Sequence, residues 1–213
     1  MRRYALLASV IALAGCKHSK PAHNLDLEAI RIAGYATRTD TVGDGKFAST
    51  ATFVLVDAEN TSGAGAYVTL GGALIEQGGA VLGPLKPQSL WVPAHEARTF
   101  ALVDSQRAPR PTSTSARVAI QGAVIPDEPP RAHVEDLHTF DDHGKTVVQA
   151  YVVNAADRIG QLMVVGSFHD AQDQPMTRPF QMVQLGPHDR QVVQFVGPKG
   201  SARGAIFVGE AIY

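Results

Sequence analysis

Cysteine is nearly absent from this sequence, with Cys16 as the only one among 213 residues. A lone cysteine excludes disulfides within the chain and metal sites built from several thiolates. Runs of basic residues are absent as well, and 19 basic residues balance 20 acidic ones, so we expect no binding to nucleic acid. Stability must then come from an apolar core, for which hydrophobic residues supply 45% of the chain.

Motifs for catalysis are also missing. The sequence has no Gly-x-Ser-x-Gly nucleophile elbow, and its glycine-rich segments lack the Gly-Lys-Ser/Thr of a phosphate-binding loop. A glycosidase would need a pair of carboxylates facing a cleft. The acidic residues of this chain fall mostly at predicted turns, where the side chain of Asp forms hydrogen bonds with the local backbone. These acidic residues are Asp57, Glu59, Asp170 and Asp173. We therefore expect no catalytic residue, no cofactor and no enzymatic activity.

What the sequence does have is a distinctive N-terminus. Arg2 and Arg3 precede an apolar run over residues 4–13, which is shorter than the roughly 20 residues of a transmembrane helix. Charged, apolar and then small residues predict a signal peptide over residues 1–15. The Leu-Ala-Gly that leads into Cys16 resembles the lipobox of bacterial lipoproteins. That resemblance implies cleavage before Cys16 and acylation of this residue.

The same resemblance implies a location in the cell envelope. Several acyl chains on Cys16 would hold the protein firmly on a membrane. Residues 16–23 are polar and contain one proline, which is typical of a tether between lipid and fold. Lys17 stands where enteric-type sorting would place an aspartate for retention in the inner membrane. We therefore expect the periplasmic face of the outer membrane.

A repeat is visible in the rest of the chain. Two β-rich runs end at Asn60 and Asn154, which lie 94 residues apart. At this offset, and without a gap, Pro93 aligns with Pro187, while Trp91 aligns with Leu185. Residues 126–130 contain three prolines and two acids, which excludes a helix or a central strand. The predicted domains are therefore residues 24–125 and 131–213, joined by a linker at 126–130.

The local pattern predicts strands throughout. Short runs of Val, Ile, Thr, Phe and Tyr alternate with Gly, Pro, Asn and Asp clusters. Residues 52–56 and 147–153 are nearly continuous apolar runs, typical of strands buried on both sides or at a sandwich centre. Residues 25–32 alternate apolar and charged side chains and predict an edge strand. Residues 43–45 and 141–144 predict hairpin turns.

Short strands with regular turns predict an all-β fold of two tandem immunoglobulin-like β-sandwiches. The stretch from each Asn turn to the later proline resembles the small extracytoplasmic FxLYD-like modules. Residues 53–56 with Asn60 match the start of that pattern, and residues 84–87 match its later part. The resemblance implies fold and location, and no single activity.

Several polar or aromatic residues leave alternatives open. His133, His138 and His143 cluster near three aspartates, and the alternating pattern places His138 on the strand face of Asp136 and Val134. The cluster lacks a tight ligand spacing, so solvated side chains are favoured over a metal site. His95 and His188 are expected in turns. Trp91 has either a core or partly buried role, which its alignment with the apolar Leu185 favours, or a place on a binding surface.

Two segments have an open role. Residues 107–115 form an enlarged loop without a counterpart in the second repeat, and this loop is either a contact site or disordered. Residues 205–213 form either a core strand, which we favour, or an exposed edge for a partner. The sequence as a whole predicts a non-catalytic, lipid-anchored envelope protein that binds or assembles another envelope component, with an envelope protein as the expected partner. The alternative is a small-molecule- or metal-binding lipoprotein that uses the interdomain cleft around residues 126–130.

Overall fold

The computed structural model describes residues 23–42 and 49–213, whose regular structure is almost entirely β-strand. The strands before the linker are β1 (His23–Asn24), β2 (Ile30–Val42), β3 (Ser49–Asn60), β4 (Ala66–Glu76), β5 (Val81–Val92), β6 (Ala97–Val103) and β7 (Ser113–Ile125). Those after it are β8 (Ala132–Asp141), β9 (Lys145–Asn154), β10 (Gly160–His169), β11 (Pro175–Thr177), β12 (Phe180–Leu185), β13 (Arg190–Lys199) and β14 (Arg203–Ile212). The expected all-β fold is confirmed. Within the described residues no helix has the length and apolar character to cross a lipid bilayer.

Four antiparallel sheets build the fold. In the first repeat, residues 23–125, the sheet β1-β7-β4-β5 faces the sheet β2-β3-β6. In the second repeat, residues 131–213, β10 pairs with β14 on one edge and with β11 and β12 on the other, and this sheet faces β13-β9-β8. An apolar core lies between the sheets of each pair, as in a β-sandwich. The two repeats therefore share one strand topology.

A matching bulge supports the repeat in detail. Leu70 of β4 pairs with Ile120 of β7, and Val164 of β10 pairs with Val208 of β14. The register shifts at the residue before each pair, between Thr69 and Leu70 and between Met163 and Val164. A bulge inserts one unpaired residue at a defined place, so its recurrence at the same position is specific.

The two predicted Asn turns also match. The side chains of Asn60 and Asn154 are fully buried, where unpaired amide groups would be costly. Each Nδ2 donates to the carbonyl four residues ahead and to a carbonyl at the end of a later strand. These bonds run from Asn60 to Ala64 (2.8 Å) and Val92 (3.2 Å), and from Asn154 to Arg158 (2.9 Å), Leu185 (3.4 Å) and Gly186 (2.8 Å).

The ungapped alignment of the repeats is wrong beyond β4. Ala66 pairs with Val92, and its counterpart Gly160 pairs with Leu185, so Leu185 corresponds to Val92 and not to Trp91. The cause is one extra residue in β5, where the register with β4 shifts between Leu70 and Gly72. His95 and His188 correspond under the corrected offset, and both lie in turns with positive φ, of 58° and 56°.

Local predictions have mixed outcomes. Residues 25–32 do not form one strand: Asp26 caps a short 3-10 turn at Leu27–Ala29, its carboxylate accepting the N–H of Glu28, and β2 begins only at Ile30. The turn at residues 141–144 is confirmed, since Asp142 and Lys145 exchange both backbone hydrogen bonds around two residues with positive φ. The predicted turn at 43–45 lies outside the described residues.

Strand β10 is buried on both faces. Leu162 and Val164 point into the core of the second repeat. Their neighbours Met163 and Val165, together with Phe207 of β14, pack against the core of the first repeat. Strand β3 is also covered on both faces, because β11 of the second repeat packs against it. The apolar run at residues 52–56 predicted a strand of this kind. The repeats thus meet through the outer surface of the sheet that contains β10 and β14.

The C-terminal strand combines the two roles considered for it. Ile206 belongs to the second core and Phe207 to the first, so the strand is a core strand. Strand β14 nevertheless pairs only with β10, so its other edge is free within the described residues. The linker at residues 126–130 contains no strand, and the division into two domains stays a prediction.

Candidate binding cleft

An open cleft lies where the two repeats meet. Its volume is about 1380 Å³, and it is bounded by β5 and β6 of the first repeat and by β8 and β14 of the second. Each of these four strands is an edge strand of a different sheet. Pro129 and Pro130 of the linker lie at its border. The cleft therefore lies next to the segment at which the sequence predicted an interdomain site.

Backbone edges form much of the cleft wall. A strand that presents one face contributes every second residue, because successive side chains point to opposite sides. Here consecutive residues line the cleft, namely 86–91 of β5 and 205–211 of β14. Such runs place the edge of a strand along the cleft, and unpaired edge groups are templates for pairing with another chain.

Aromatic side chains stand on the wall of this cleft. The rings of Tyr67 and Trp91 lie 5.5 Å apart at 60°, an arrangement favourable for aromatic pairs. Trp91 is partly buried on the outer face of β5 and lies close over Gly65, so it is not a core residue. Tyr213 lines the same cleft, and the Arg158 guanidinium lies 5.3 Å from its ring centre. Burial raises the pKa of both tyrosines.

The charges of the cleft are mainly basic. Four cationic side chains line it, against two carboxylates. The cations are Lys86, Arg98, Arg107 and Arg131, and the carboxylates are Glu96 and Glu210. Arg98 is paired with Glu96 at 2.7 Å, and Arg131 with Glu128 at 3.2 Å. The excess of positive charge favours acidic over basic partners.

A buried polar cluster joins the repeats behind this cleft. Asp57 of β3 accepts the Thr99 hydroxyl at 2.6 Å with Oδ1 and His169 Nε2 at 2.8 Å with Oδ2. All three residues are buried, and His169 comes from the second repeat. Arg178, also from the second repeat, donates its Nε–H to the Thr99 carbonyl at 2.6 Å. These bonds fix the two repeats against each other.

The cluster is not arranged as a catalytic triad. In a triad the histidine lies between the nucleophile and the carboxylate, so that it can take the proton of the nucleophile. Here Asp57 lies between Thr99 and His169, and the hydroxyl donates to the carboxylate. Nδ1 of His169 is buried and has no hydrogen-bond partner among the described residues. The geometry supports a structural contact between repeats and gives no proton path to Thr99.

Arg178 packs against the ring of Phe207, which lines the cleft. The guanidinium groups of Arg178 and Arg98 lie 5.6 Å and 5.3 Å from the centre of the Phe207 ring, within the range of cation–π attraction. Burial of Arg178 lowers its pKa to about 10. Nη2 of Arg178 is buried without a partner in the described part of the chain. Phe207 therefore connects the buried cluster with the lining of the cleft.

The placement of Asp57 and Glu59 at turns is wrong. Both lie within β3, and Asp57 points to the buried contact between repeats. The signal for this in the sequence is an acidic residue inside an apolar run, which requires a buried partner. Asp170 and Asp173 do lie in a turn, where Asp170 Oδ1 accepts the N–H groups of Gln172 and Gln174, each at 2.9 Å.

A bulge in β8 changes which residues of the histidine cluster share a face. Asp136 has a φ of 51°, and the register with β9 shifts between Glu135 and His138. His138 therefore shares a face with Glu135, and the predicted face with Asp136 and Val134 is wrong. His133 bonds Glu135 at 3.0 Å. Over residues 23–42 and 49–213, no three His, Cys, Asp or Glu side chains are placed to hold a metal ion.

The enlarged loop at residues 107–115 is organised by Asp104. The buried carboxylate accepts the N–H groups of Gln106 and Ala108, both at 3.1 Å, and Arg110 Nε at 3.2 Å. β7 begins within this segment at Ser113, and only Arg107 of the segment lines the cleft. Cys16, the predicted lipidation site, lies outside the described residues.

Comparison with known proteins adds no relative from which a function could be inferred. The chain matches none of the protein-family models with which it was compared, and no curated protein shows significant sequence similarity to it.

Proposed function

We propose that this chain is a lipid-anchored, non-catalytic protein of the bacterial cell envelope that binds or assembles another envelope component, with an envelope protein as the expected partner. In this proposal Cys16 carries the lipid, residues 16–23 form the tether, and two immunoglobulin-like domains at 24–125 and 131–213 form the binding body. The outer membrane, on its periplasmic face, is the favoured location. Support for the anchor comes from the leader and the lipobox-like residues before Cys16.

The observation that carries the binding role is the cleft between the repeats. Its wall combines four strand edges with aromatic rings and an excess of basic groups. Aromatic and arginine side chains are enriched at protein interfaces, and strand edges supply unpaired backbone groups. The buried contact of Asp57 with His169 holds the two sides of this cleft in place. A preorganised wall lowers the entropy cost of binding.

Site-specific cross-linking in the native envelope tests the proposal. A photoreactive amino acid at Ser89, which is exposed in the cleft, is expected to cross-link an envelope protein. The matched control carries the same amino acid at Gln194, which is exposed on the outer face of β13 away from the cleft. Cross-links of equal yield and identity from both positions, or none from Ser89, would contradict a binding role for the cleft.

A small-molecule ligand is the second candidate, and the aromatic residues favour it. Tyr67, Trp91 and Tyr213 line one cleft, and aromatic rings with a few polar groups are typical of ligand pockets. Native mass spectrometry of the protein extracted from its envelope distinguishes this function from the first. A bound small molecule that is lost in Trp91→Ala would support it. Metal binding by the histidine cluster gains no support from the positions of these side chains.

A further inference from the structure

The two repeats differ at one strand edge. In the first repeat, β1 pairs with the Val124–Ile125 end of the outer edge of β7, His23 opposite Ile125 and Asn24 opposite Val124. The part of that edge at Val118 and Ile120, which corresponds to Ile206 and Val208 of β14, has no partner strand among the described residues. In the second repeat, β14 takes the place of β7, but no described strand pairs with its outer edge. We propose that this β14 edge binds an extended peptide segment of the partner as an added antiparallel strand. This inference deepens the proposed function and rests on it.

The first repeat shows how such a strand is held. The N–H of Leu25, just after β1, donates to the carbonyl of Ala123 at 2.9 Å. Ala123 pairs with Val68 in β4, and Ala211 pairs with Leu162 in β10, so Ala211 is the counterpart of Ala123. The carbonyl of Ala211 is therefore directed to the free side of β14, where an added strand would meet it.

The linker explains why the second edge is open. The backbone N–H groups of Thr61 and Ala155 donate to the carbonyls of Ala29 and Arg131, so the segments before β2 and β8 correspond. The first of these segments contains β1, whereas the second is the proline-rich linker. Proline has no N–H to donate to a neighbouring strand. The linker forms no strand, so the Ala211–Tyr213 end of β14 has no counterpart of β1.

The direction of the backbone groups of β14 follows from β10. Gly166 donates its N–H to the carbonyl of Pro179, on the β12 side of β10. The N–H and C=O groups of successive residues point to opposite sides of a strand, so those of Val165 point to the β14 side of β10. There Val165 forms backbone hydrogen bonds with Phe207, the residue that lies opposite it. Ile206 and Val208, one residue away, then direct their N–H and C=O groups to the free edge.

The other three edges around the cleft are protected against strand addition. β5 contains Pro84, Pro87 and Lys86. β6 has the N–H of Ala101 bonded to the side-chain carbonyl of Gln88 at 2.8 Å. β8 is bulged and rich in charges. Prolines, charges and bulges are the usual means of blocking edge pairing. Residues 204–208 of β14 carry none of these features, and its bulge begins only after Val208.

The lining of the cleft indicates the chemistry of the added segment. Side chains of an added strand would alternate between the second core, near Val134 and Leu137 of β8, and the first repeat, where Lys86, Arg98 and Arg107 line the cleft. Apolar residues suit the first of these walls, and acidic residues suit the second because of its basic groups. The expected occupant is an extended segment in which apolar and acidic residues alternate.

Residue-resolved hydrogen exchange of the full chain, purified in detergent, tests this inference. The probe is a short synthetic peptide, acetyl-Thr-Glu-Val-Glu-Val-Glu-Val-Thr-amide. Its binding should slow exchange at the amides of Ile206 and Val208, which face the free edge, and leave Ala205 and Phe207 unchanged because they already bond to β10. The control peptide has lysine in place of glutamate and should bind more weakly. Saturating peptide without added protection at Ile206 and Val208 would overturn the proposal.

A matched pair of substitutions tests the edge independently. Val208→Pro removes an outward N–H without breaking a bond to β10, and edge strands tolerate such a proline. Val208→Ala removes the same side chain but keeps the N–H. We expect Val208→Pro to weaken peptide binding about tenfold relative to Val208→Ala. Equal affinities contradict the proposal. Should Val208→Pro fail to fold, the exchange experiment on the unmodified chain decides alone.

The outcomes also separate this inference from the proposed function. Protection of Ile206 and Val208 that rises with protein concentration, without peptide, would assign the edge to a second copy of the chain and overturn the peptide proposal. Cross-links from Ser89 to an envelope protein that persist in Val208→Pro would keep the binding role and reject strand addition. Peptide binding at β14 without any cross-link from Ser89 in the envelope would support strand addition and reject the proposed function.

Discussion

Asp57 Oδ2 and His169 Nε2 lie 2.8 Å apart although 112 residues separate them in the chain. The pair is buried, and each residue comes from a different repeat. A buried carboxylate is stable only when it is paired and hydrogen-bonded, so this contact specifies one orientation of the two repeats. The cleft described above keeps its shape because its two sides are joined in this way.

Replacing the carboxylate should be costly. Asp57→Ala leaves both the Thr99 hydroxyl and His169 without their partner, and loss of one member of a buried pair costs about 3–5 kcal/mol. Glu59→Ala is the matched control, because it removes the carboxylate two residues away, whose partner Arg31 is exposed. The control should lose less than about 1 kcal/mol. Urea unfolding of both variants measures this, and similar losses would refute the structural role of Asp57.

Neighbouring substitutions in β10 should separate the two cores. Val165→Thr places a hydroxyl against the first repeat and should destabilise the full chain by about 1–3 kcal/mol. In residues 131–213 expressed alone, where this face is open to water, the same change should have little effect. Val164→Thr points into the second core and should destabilise both proteins. Thermal unfolding of the full chain and of the fragment, each with either substitution, measures these four effects. A fragment that unfolds without a cooperative transition would show that the predicted domain boundary is wrong.

The tyrosines of the cleft should ionise at higher pH than an ordinary tyrosine. Burial raises the pKa of Tyr67 and Tyr213 above 10.0, although Arg131 and Arg158 partly oppose this at Tyr213. The unfolded chain then loses these protons first, so stability is unaffected below pH 10 and falls as pH rises above it. Spectroscopic titration of tyrosinate in Tyr67→Phe and Tyr213→Phe assigns each step. A normal titration for both would contradict the partial burial of their side chains in the cleft.

The lipid anchor has a direct test. Cys16→Ala should abolish labelling by a palmitate analogue and move the protein from the membrane to the soluble fraction, because it removes the only residue to which the lipid would attach. Ser19→Ala, in the same tether, is the control and should keep both properties. Labelling that persists in Cys16→Ala would reject the predicted anchor.

Local patterns predicted the strands and the repeat, and they missed the contact between the repeats. Asn60 and Asn154 could be matched because each turn is built from residues close in sequence. Trp91 was misaligned because one extra residue in β5 shifts the register, which only the pairing with β4 reveals. The partner of Asp57 could not be identified, because nothing within β3 indicates that His169 lies against it.

Burial of β10 on both faces also limits how the second repeat can change during evolution. Thr69 and Ile75 of β4 lie on a half-buried outer face, so polar replacements there should be tolerated. Their counterparts Met163 and His169 contact the first repeat, where a replacement needs a compensating change in the other copy. Mutational scanning should therefore find the second repeat the more constrained of the two, although both copies share one topology.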